Sequence, residues 1–267
     1  EEEVAQMQAL ADERGDDITI EPWDYRYYME KVRQAEYDLN SEEVKQYFNI
    51  ENLREAMFMV SGELFGFAFE EITDGSVPVF HPDVRVWEVT DNESGDHIGL
   101  WYLDPYARQG KRGGAWMADC RVRWRDLRGR LQLPVAFLTC NFTPPVDGKP
   151  SLLTHDEVTT LFHEFGHGLH HLLTRVNYAS ASGINGVAWD AVELPSQFLE
   201  NWCWNPESLA LIASHHETGE PLPEDLLQKL LAAKNFQSGM AMVRQLEFSL
   251  EAAECTFAQR KVGLSSR

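Results

Sequence analysis

The segment that decides the fold is Thr154-His-Asp-Glu-Val-Thr-Thr-Leu-Phe-His-Glu-Phe-Gly-His-Gly-Leu-His-His-Leu172. Its first four residues form a capping-box pattern, in which a Thr is followed three residues later by a Glu, and this pattern predicts a helix start. Apolar residues then recur at helical spacing and predict a buried face. They are Val158, Leu161, Phe162, Phe165, Leu169 and Leu172. His163 and His167 lie about 40° apart on the opposite side of that helix. A histidine of the core would lie within the apolar stripe, so we interpret these two as functional.

The two histidines belong to the motif H-E-x-x-H, written here as His163-Glu-Phe-Gly-His167. Two imidazoles one helical turn apart can both bind a single tetrahedral Zn²⁺. Zinc lowers the pKa of a coordinated water to about 7, so the carboxylate of Glu164 could remove its proton at neutral pH. We therefore predict one zinc ion per chain, with His163 and His167 as ligands and Glu164 as the catalytic base.

A catalytic zinc ion needs a third protein ligand. His170 and Leu173 stand where the longer metzincin motif requires Gly and His, so that motif is excluded. Further along the chain, Glu193 and Glu200 lie two helical turns apart on one face. We prefer Glu193 as the ligand. Glu200 is then a carboxylate that does not touch the metal itself but contacts one of its ligands or has a structural role. Pro195 makes the start of this helix irregular, so the spacing alone leaves the choice open.

Two further features of the histidine helix call for an explanation. His171 lies one turn beyond His167. It could either donate a hydrogen bond that orients the metal site without binding the metal, or be an exposed histidine near a cleft. Gly166 and Gly168 each cost about 1 kcal/mol relative to Ala inside a helix. We therefore expect another element to pack tightly against this helix.

The rest of the chain predicts a mainly α protein with a small inserted antiparallel β-sheet. The strand candidates show period-two alternation, and turn residues 91–95 between the first two predict a hairpin. We expect one partial catalytic domain over residues 1–267, built from four segments. These are residues 1–76, helical; 77–150, the small sheet and a glycine-rich loop; 151–250, the helices of the zinc site; and 251–267, an atypical tail.

Individual elements follow from local patterns. Pro22 and Asn205-Pro206 are typical of helix starts, and Gly219 is a candidate end for the helix that begins at Pro206. The helix candidates are Val4–Glu13, Trp23–Val32, Asn52–Glu70, and those after Asn205 and Pro223. The strand candidates are Val84–Val89, His97–Leu103 and Pro134–Asn141.

Composition excludes several classes of function. The net charge is −20, from 43 acidic and 23 basic residues, and such a surface repels nucleic acid and anionic membranes. The apolar runs are too short to span a membrane, and the N-terminus shows no signal peptide. Four cysteines without a C-x-x-C pair fit reduced thiols in a cytoplasm. The arginine-rich segment Arg121–Arg130 is interpreted as a solvated loop or hairpin.

Taken together, the motifs resemble the thimet oligopeptidase family of zinc peptidases over about residues 20 to 250. The resemblance implies a zincin-type, largely helical fold with two halves around a deep channel. It implies an endopeptidase that cleaves short, unstructured peptides in the cytosol and is monomeric in its full-length form. It also implies that His163, His167 and Glu193 bind zinc, and that Gly113, Gly114 and Ala115 lie where a peptide pairs by β-augmentation. The motifs are His81–Trp87, Lys111–Met117, Leu138–Phe142, His163–His170, Ser182–Gly183, Val192–Trp202 and His215–Pro223.

The chain departs from this family in two respects. Family members are more than twice as long, and they carry a downstream segment whose His and Tyr side chains stabilise the oxyanion. No Tyr follows Tyr178 and no His follows His216 here. Loss of one oxyanion donor typically costs about 10²–10³ in rate. The alternative is therefore a catalytically inactive fragment that binds zinc or peptide.

Overall fold

The computed structural model describes the backbone of residues 1–264 and the side chains of residues 1–253. The chain forms two compact units, one of Glu1–Asn40 with Glu224–Arg267 and the other of Ser41–Pro223. In the predicted tail, residues 251–264 continue a helix, and residues 265–267 lie outside the described residues. Among residues 1–264, no helix combines the length and the apolar character that a membrane crossing requires.

Helices and strands alternate along the chain in blocks. The α-helices are α1 Glu2–Arg14, α2 Tyr25–Tyr37, α3 Ser41–Lys45, α4 Ile50–Phe65, α5 His155–Leu172, α6 Leu194–Glu200, α7 Pro206–Ile212, α8 Glu224–Ala232 and α9 Ser238–Leu264. The strands are β1 Phe67–Glu71, β2 Arg85–Asp91, β3 His97–Tyr106, β4 Trp116–Arg121, β5 Trp124–Arg125, β6 Leu131–Gln132 and β7 Val135–Phe142.

The first unit is helical and has its own small core. Met7 and Ala11 of α1 pack with Tyr28 and Val32 of α2, and all four are buried. The Tyr28 hydroxyl donates to Asp16. Of the aromatic residues near the N-terminus, Tyr28 belongs to this core, whereas Trp23 and Tyr27 are exposed.

The second unit contains a mixed five-stranded sheet in the order β1-β2-β3-β7-β4. The predicted hairpin is present as β2 and β3, which pair antiparallel. The prediction of a wholly antiparallel sheet is wrong, because β3 and β7 pair in parallel. The chain between them, residues 107–134, forms β4 and the β5-β6 hairpin before β7 returns beside β3. This path leaves β4 at an edge of the sheet, where β7 is its ladder partner among the described residues.

Two predicted helices end earlier than expected. The helix predicted to reach Glu70 ends at Phe65, because Gly66 adopts a left-handed conformation with φ of 74°. Residues Phe67–Glu71 then form β1, so the expectation that residues 1–76 are helical is wrong for this strand. Helix α7 ends at Ile212 and not near Gly219, because Ala213 is extended. Ser214 then pairs its backbone with Tyr47.

Helix α5 packs on the sheet through the predicted apolar stripe. All six stripe residues are buried, and the Phe165 ring meets Trp101 of β3 edge-to-face with centroids 5.3 Å apart. The capping box is confirmed, since Thr154 and Glu157 each bind the other's backbone N–H. The local sequence pattern thus fixed both the start of α5 and the face it buries.

The arginine-rich segment Arg121–Arg130 lies mostly at the surface, as predicted. It contains the end of β4, strand β5 and the turn before β6, and Arg130 pairs with Asp126 at 2.7 Å. The three cysteines whose side chains the structure describes, Cys120, Cys140 and Cys203, carry free thiols. Cys255 lies outside the part of the chain with described side chains.

A buried histidine at the start of α5 gives a testable pH dependence. His155 donates from Nε2 to the carbonyl oxygen of Cys203 at 2.8 Å. Burial lowers the pKa of His155, although this hydrogen bond opposes the shift. The unfolded chain takes up a proton near pH 6.5 while the folded chain keeps His155 neutral. The free energy of unfolding should therefore fall as the pH drops below about 6.5, with a slope from this group of up to about 1.4 kcal/mol per pH unit.

The measurement is urea unfolding at several pH values between 7.5 and 5 for the parent and for His155→Gln. The amide can still donate to the carbonyl, but it does not titrate. Other titrating groups contribute equally to both proteins and cancel in the difference. The variant should lose less stability on acidification than the parent. Equal pH slopes would show that His155 contributes nothing.

Candidate active site

The side of α5 opposite its buried stripe carries the two motif histidines. The side chains of His163 and His167 are 25% and 13% exposed, and their ring centroids are 5.0 Å apart. Their Nε2 atoms approach the same carboxylate oxygen, which belongs to Glu193. The helix thus presents two imidazoles side by side, as the spacing predicts.

Glu193 lies at the N-cap position of α6, directly before the first helical residue. Its Oε2 atom is 3.1 Å from Nε2 of His163 and 3.0 Å from Nε2 of His167. The three ligand atoms lie within 4.8 Å of one another, and within the described side chains this is the one such group that could hold a metal ion. The structure thus brings the preferred third ligand to the two histidines.

These three residues fit a zinc ion in geometry, and the pKa shifts of His167 and Glu193 favour the forms that bind metal. Tetrahedral ligands at about 2.0–2.1 Å from zinc lie roughly 3.3 Å from each other, close to the observed distances. Burial lowers the pKa of His167. Burial acts to raise the pKa of Glu193, but the hydrogen bond from Ser196 and the nearby His167 hold it below its usual value. Neutral imidazole and ionised carboxylate are the forms that bind metal.

Two residues of α6 orient the ligands. Glu200 lies with Oε1 2.6 Å from Nδ1 of His163, so Nδ1 donates and Nε2 is left without a proton for a metal. The Ser196 hydroxyl lies 2.8 Å from Oε2 of Glu193. The supporting position predicted for Glu200 agrees with this contact. Ser196 was missed, and the available signal was a small polar residue one helical turn after the ligand.

Glu164 is buried, with 9% of its surface exposed, beside the ligand cluster. Burial raises its pKa, and Glu193 acts in the same direction, while His163 and a hydrogen bond from the backbone N–H of Met117 lower it. A carboxylate with a raised pKa is a stronger proton acceptor. The backbone of Met117, in the edge strand β4, therefore lies close to Glu164.

The close approach expected at the helical glycines is found at Gly166. A Cβ atom there would lie 2.6 Å from the carbonyl oxygen of Pro195 and 2.6 Å from Cα of Ser196. Helix α6 therefore crosses α5 in direct backbone contact, which holds Glu193 and Glu200 over the histidines. At Gly168 the nearest atom is Nε1 of Trp101 at 3.5 Å, an ordinary contact.

The predicted glycine-rich segment leads directly into β4. Gly114 has a φ of 94°, which favours glycine, and no atom lies within 4 Å of a Cβ built at Gly113. The side chain of Asn141 donates to the carbonyl oxygens of Arg112 and Gly114, both at 2.7 Å. Gly113, Gly114 and Ala115 thus lie directly before β4, the strand whose residue Met117 is close to Glu164. Asn141 was missed, although a polar residue near the end of an apolar strand could have indicated it.

A buried ion pair holds the start of the same loop. Asp104 is buried and pairs with Lys111 at 3.0 Å and with both terminal nitrogens of Arg108. Lys111 also donates to the backbone carbonyl oxygens of Asp104 and Tyr106. Sequence reasoning missed this cluster, for which the signal was an aspartate inside an apolar strand.

His171 is fully buried, so the interpretation as an exposed histidine is wrong. Its Nε2 atom lies 2.7 Å from the carbonyl oxygen of Arg121 at the end of β4. No hydrogen bond joins it to His167 within the described residues, and its role as a support for that ligand stays a prediction.

Two imidazoles, a carboxylate and an adjoining buried glutamate on crossed helices are the arrangement of a metallopeptidase active site. Comparison with known proteins agrees with this class. The chain belongs to peptidase family M3, whose model matches residues 1–252.

Three relatives show the range of similarity. Oligopeptidase A of Salmonella typhimurium is 54% identical over 250 residues, which are 94% of this chain and 36% of the relative. Dipeptidyl carboxypeptidase of Escherichia coli is 41% identical over 93% of this chain and 36% of the relative. Saccharolysin of Saccharomyces cerevisiae is 35% identical over 92% of this chain and 36% of the relative. The chain therefore spans about a third of the length of these relatives.

Proposed function

We propose that this chain carries the catalytic centre of a zinc-dependent endopeptidase that hydrolyses short, unstructured peptides. The observation that carries the proposal is the convergence of His163, His167 and Glu193 within 4.8 Å, with the buried Glu164 beside them. Family M3 membership supports the same assignment.

In the proposed mechanism His163, His167 and Glu193 would hold a zinc ion. When bound, it would supply Lewis acidity toward the scissile carbonyl and the attacking water. Glu164 takes the proton from the attacking water and then passes it to the nitrogen of the leaving amine. Glu200 keeps His163 in the ligating tautomer, and Ser196 keeps Glu193 in place.

The proposed peptide site is the free edge of β4 together with the glycine-rich loop before it. An extended peptide can add to an edge strand through backbone hydrogen bonds, and the small residues Gly113, Gly114 and Ala115 leave room for its approach. A substrate that pairs in this way must be extended, which favours short peptides without structure of their own. The names of the relatives, oligopeptidase A among them, describe peptidases. We also propose a cytoplasmic location, which the free thiols support, and a full-length protein that is monomeric.

A second candidate is a zinc- or peptide-binding fragment without catalytic activity. The chain spans 36% of the length of oligopeptidase A of Salmonella typhimurium, so catalysis by this chain is a proposal that the assay below decides. Under this candidate the site would bind zinc without turnover. The intact Glu164 argues against it, because a site that only binds has no use for a base.

The test is zinc content measured together with cleavage of a quenched fluorescent peptide. We expect one zinc ion per chain and cleavage that a chelator abolishes and added zinc restores. His163→Ala should lose both, while His97→Ala, which removes an exposed histidine paired with Glu88, should keep both. Bound zinc without cleavage would support the second candidate. A His163→Ala variant with the zinc content of the parent would contradict both candidates.

A further inference from the structure

We propose that His171 is a positioning residue that fastens the end of β4 to α5 and thereby holds the peptide-binding edge in register with Glu164. The role of β4 in substrate binding rests on the proposed function. The attachment of β4 to α5 by His171 is a separate claim that needs no catalysis.

The first observation is the hydrogen bond between a helix side chain and a strand end. His171 is fully buried, and its Nε2 atom is 2.7 Å from the carbonyl oxygen of Arg121. A carbonyl oxygen can only accept, so Nε2 donates. The bond thus joins a fully buried helix side chain to the exposed end of the strand.

The second observation is that β4 approaches α5 at two points. The backbone of Met117 lies close enough to Glu164 to lower its pKa, and the carbonyl oxygen of Arg121 accepts from His171. Four strand residues span about 13 Å, and the seven helix residues from Glu164 to His171 rise about 10.5 Å. Because these lengths are similar, the strand follows the helix between the two contacts. His171 therefore fixes the far end of the segment whose near end contacts the proposed base.

The third observation is the packing of a turn against the other side of the imidazole. A Cβ atom at Gly183 would lie 2.4 Å from Nδ1 of His171, and Gly183 has a φ of +62°. The neighbouring Ser182 is fully buried. The ring is thus held between the end of β4 and this turn, so its Nε2 atom has a fixed direction.

The position of β4 in the sheet explains why it needs this attachment. As an edge strand it has β7 as its one ladder partner, and the register of that pair shifts between Ala118 and Arg121. The last residues of β4 are therefore poorly fixed by the sheet alone. Displacement of a substrate-positioning element by about 1 Å can cost about 10² in rate.

A neighbouring residue provides a matched control. The Asn177 side chain accepts a hydrogen bond from Nε of Arg123 at 3.1 Å, two residues beyond β4. Asn177→Ala removes a contact between the chain just after β4 and the chain just after α5, but it leaves the bond between His171 and Arg121. If the attachment of β4 is specific to His171, this variant should affect the β5-β6 hairpin and not β4.

The experiment measures hydrogen exchange of β4, zinc content and peptide kinetics for the parent, His171→Ala, His171→Gln and Asn177→Ala. In His171→Ala we expect exchange of β4 to rise about tenfold, as for loss of one buried hydrogen bond, with α5 unchanged. Zinc content should stay at that of the parent. KM should rise about fivefold or more, whereas a smaller folded fraction would lower kcat alone. His171→Gln can donate to the same carbonyl and should restore most of both properties.

Several outcomes would overturn the proposal. Unchanged exchange of β4 in His171→Ala, or an equal change in Asn177→Ala, would show that His171 does not fasten the strand. Loss of zinc in His171→Ala with β4 still protected would assign His171 to the metal site. If His171→Ala does not fold, Gly183→Ala, which pushes on the ring, gives the same test through β4 exchange. If the parent binds zinc but does not cleave peptides, the Kd of a labelled peptide is measured in place of KM. The attachment of β4 by His171 can then be tested even if the proposed function is wrong.

Discussion

Replacement of Glu164 by Gln is expected to reduce peptide cleavage by about 10²–10⁴-fold, the usual contribution of a general base, without loss of zinc. Glutamine has the shape of glutamate, and its carbonyl oxygen can still accept a hydrogen bond. It cannot take a proton from water at neutral pH. The measurement is kcat/KM for a quenched fluorescent peptide, with zinc content determined on the same sample.

The matched control is the same substitution at the proposed third ligand. Glu193→Gln removes the carboxylate that faces Nε2 of His163 and His167 at 3.1 and 3.0 Å, so it should lose zinc and activity together. The pair of variants thus separates a base from a ligand. A zinc-loaded Glu164→Gln protein that cleaves at the parental rate would disprove the role of Glu164, and loss of its zinc would make Glu164 part of the metal site.

The sequence was sufficient for α5 because the relevant information is local. A capping box and a period of 3.6 residues fix the start, the buried face and the side that carries His163 and His167. The choice between Glu193 and Glu200 was open because Pro195 disturbs the helix start. Tertiary geometry gives the two carboxylates different contacts, one at the Nε2 side and one at the Nδ1 side of His163.

What the sequence could not give depends on contacts between distant segments. The parallel pairing of β3 with β7 follows from the path of residues 107–134, which no local pattern encodes. The contact of His171 with Arg121 joins residues 50 positions apart, and that of Asn141 with Gly114 joins residues 27 apart. A single sequence shows that such polar residues exist but not which partner they meet.

A methyl group at Gly166 is expected to damage the proposed zinc site without touching a ligand. In Gly166→Ala the new Cβ would lie 2.6 Å from the carbonyl oxygen of Pro195 and from Cα of Ser196. Both are backbone atoms, so α6 must move away from α5. Helix α6 follows Glu193 and contains Glu200, so this movement withdraws one proposed ligand and the support of another. We expect zinc affinity to fall by at least about 100-fold, and overpacking to lower the free energy of unfolding by about 1–3 kcal/mol.

Gly168→Ala separates this effect from any general response of α5 to alanine. Its Cβ would meet Nε1 of Trp101 at 3.5 Å, an ordinary contact, and alanine favours the helix by up to about 1 kcal/mol over glycine. This variant should bind zinc as the parent does and unfold at the same or higher urea concentration. Zinc titration and urea unfolding of both variants decide the matter. If Gly166→Ala bound zinc as tightly as Gly168→Ala, the crossing of α5 and α6 would not control the ligand geometry, and Glu193 would have to reach the histidines by another route.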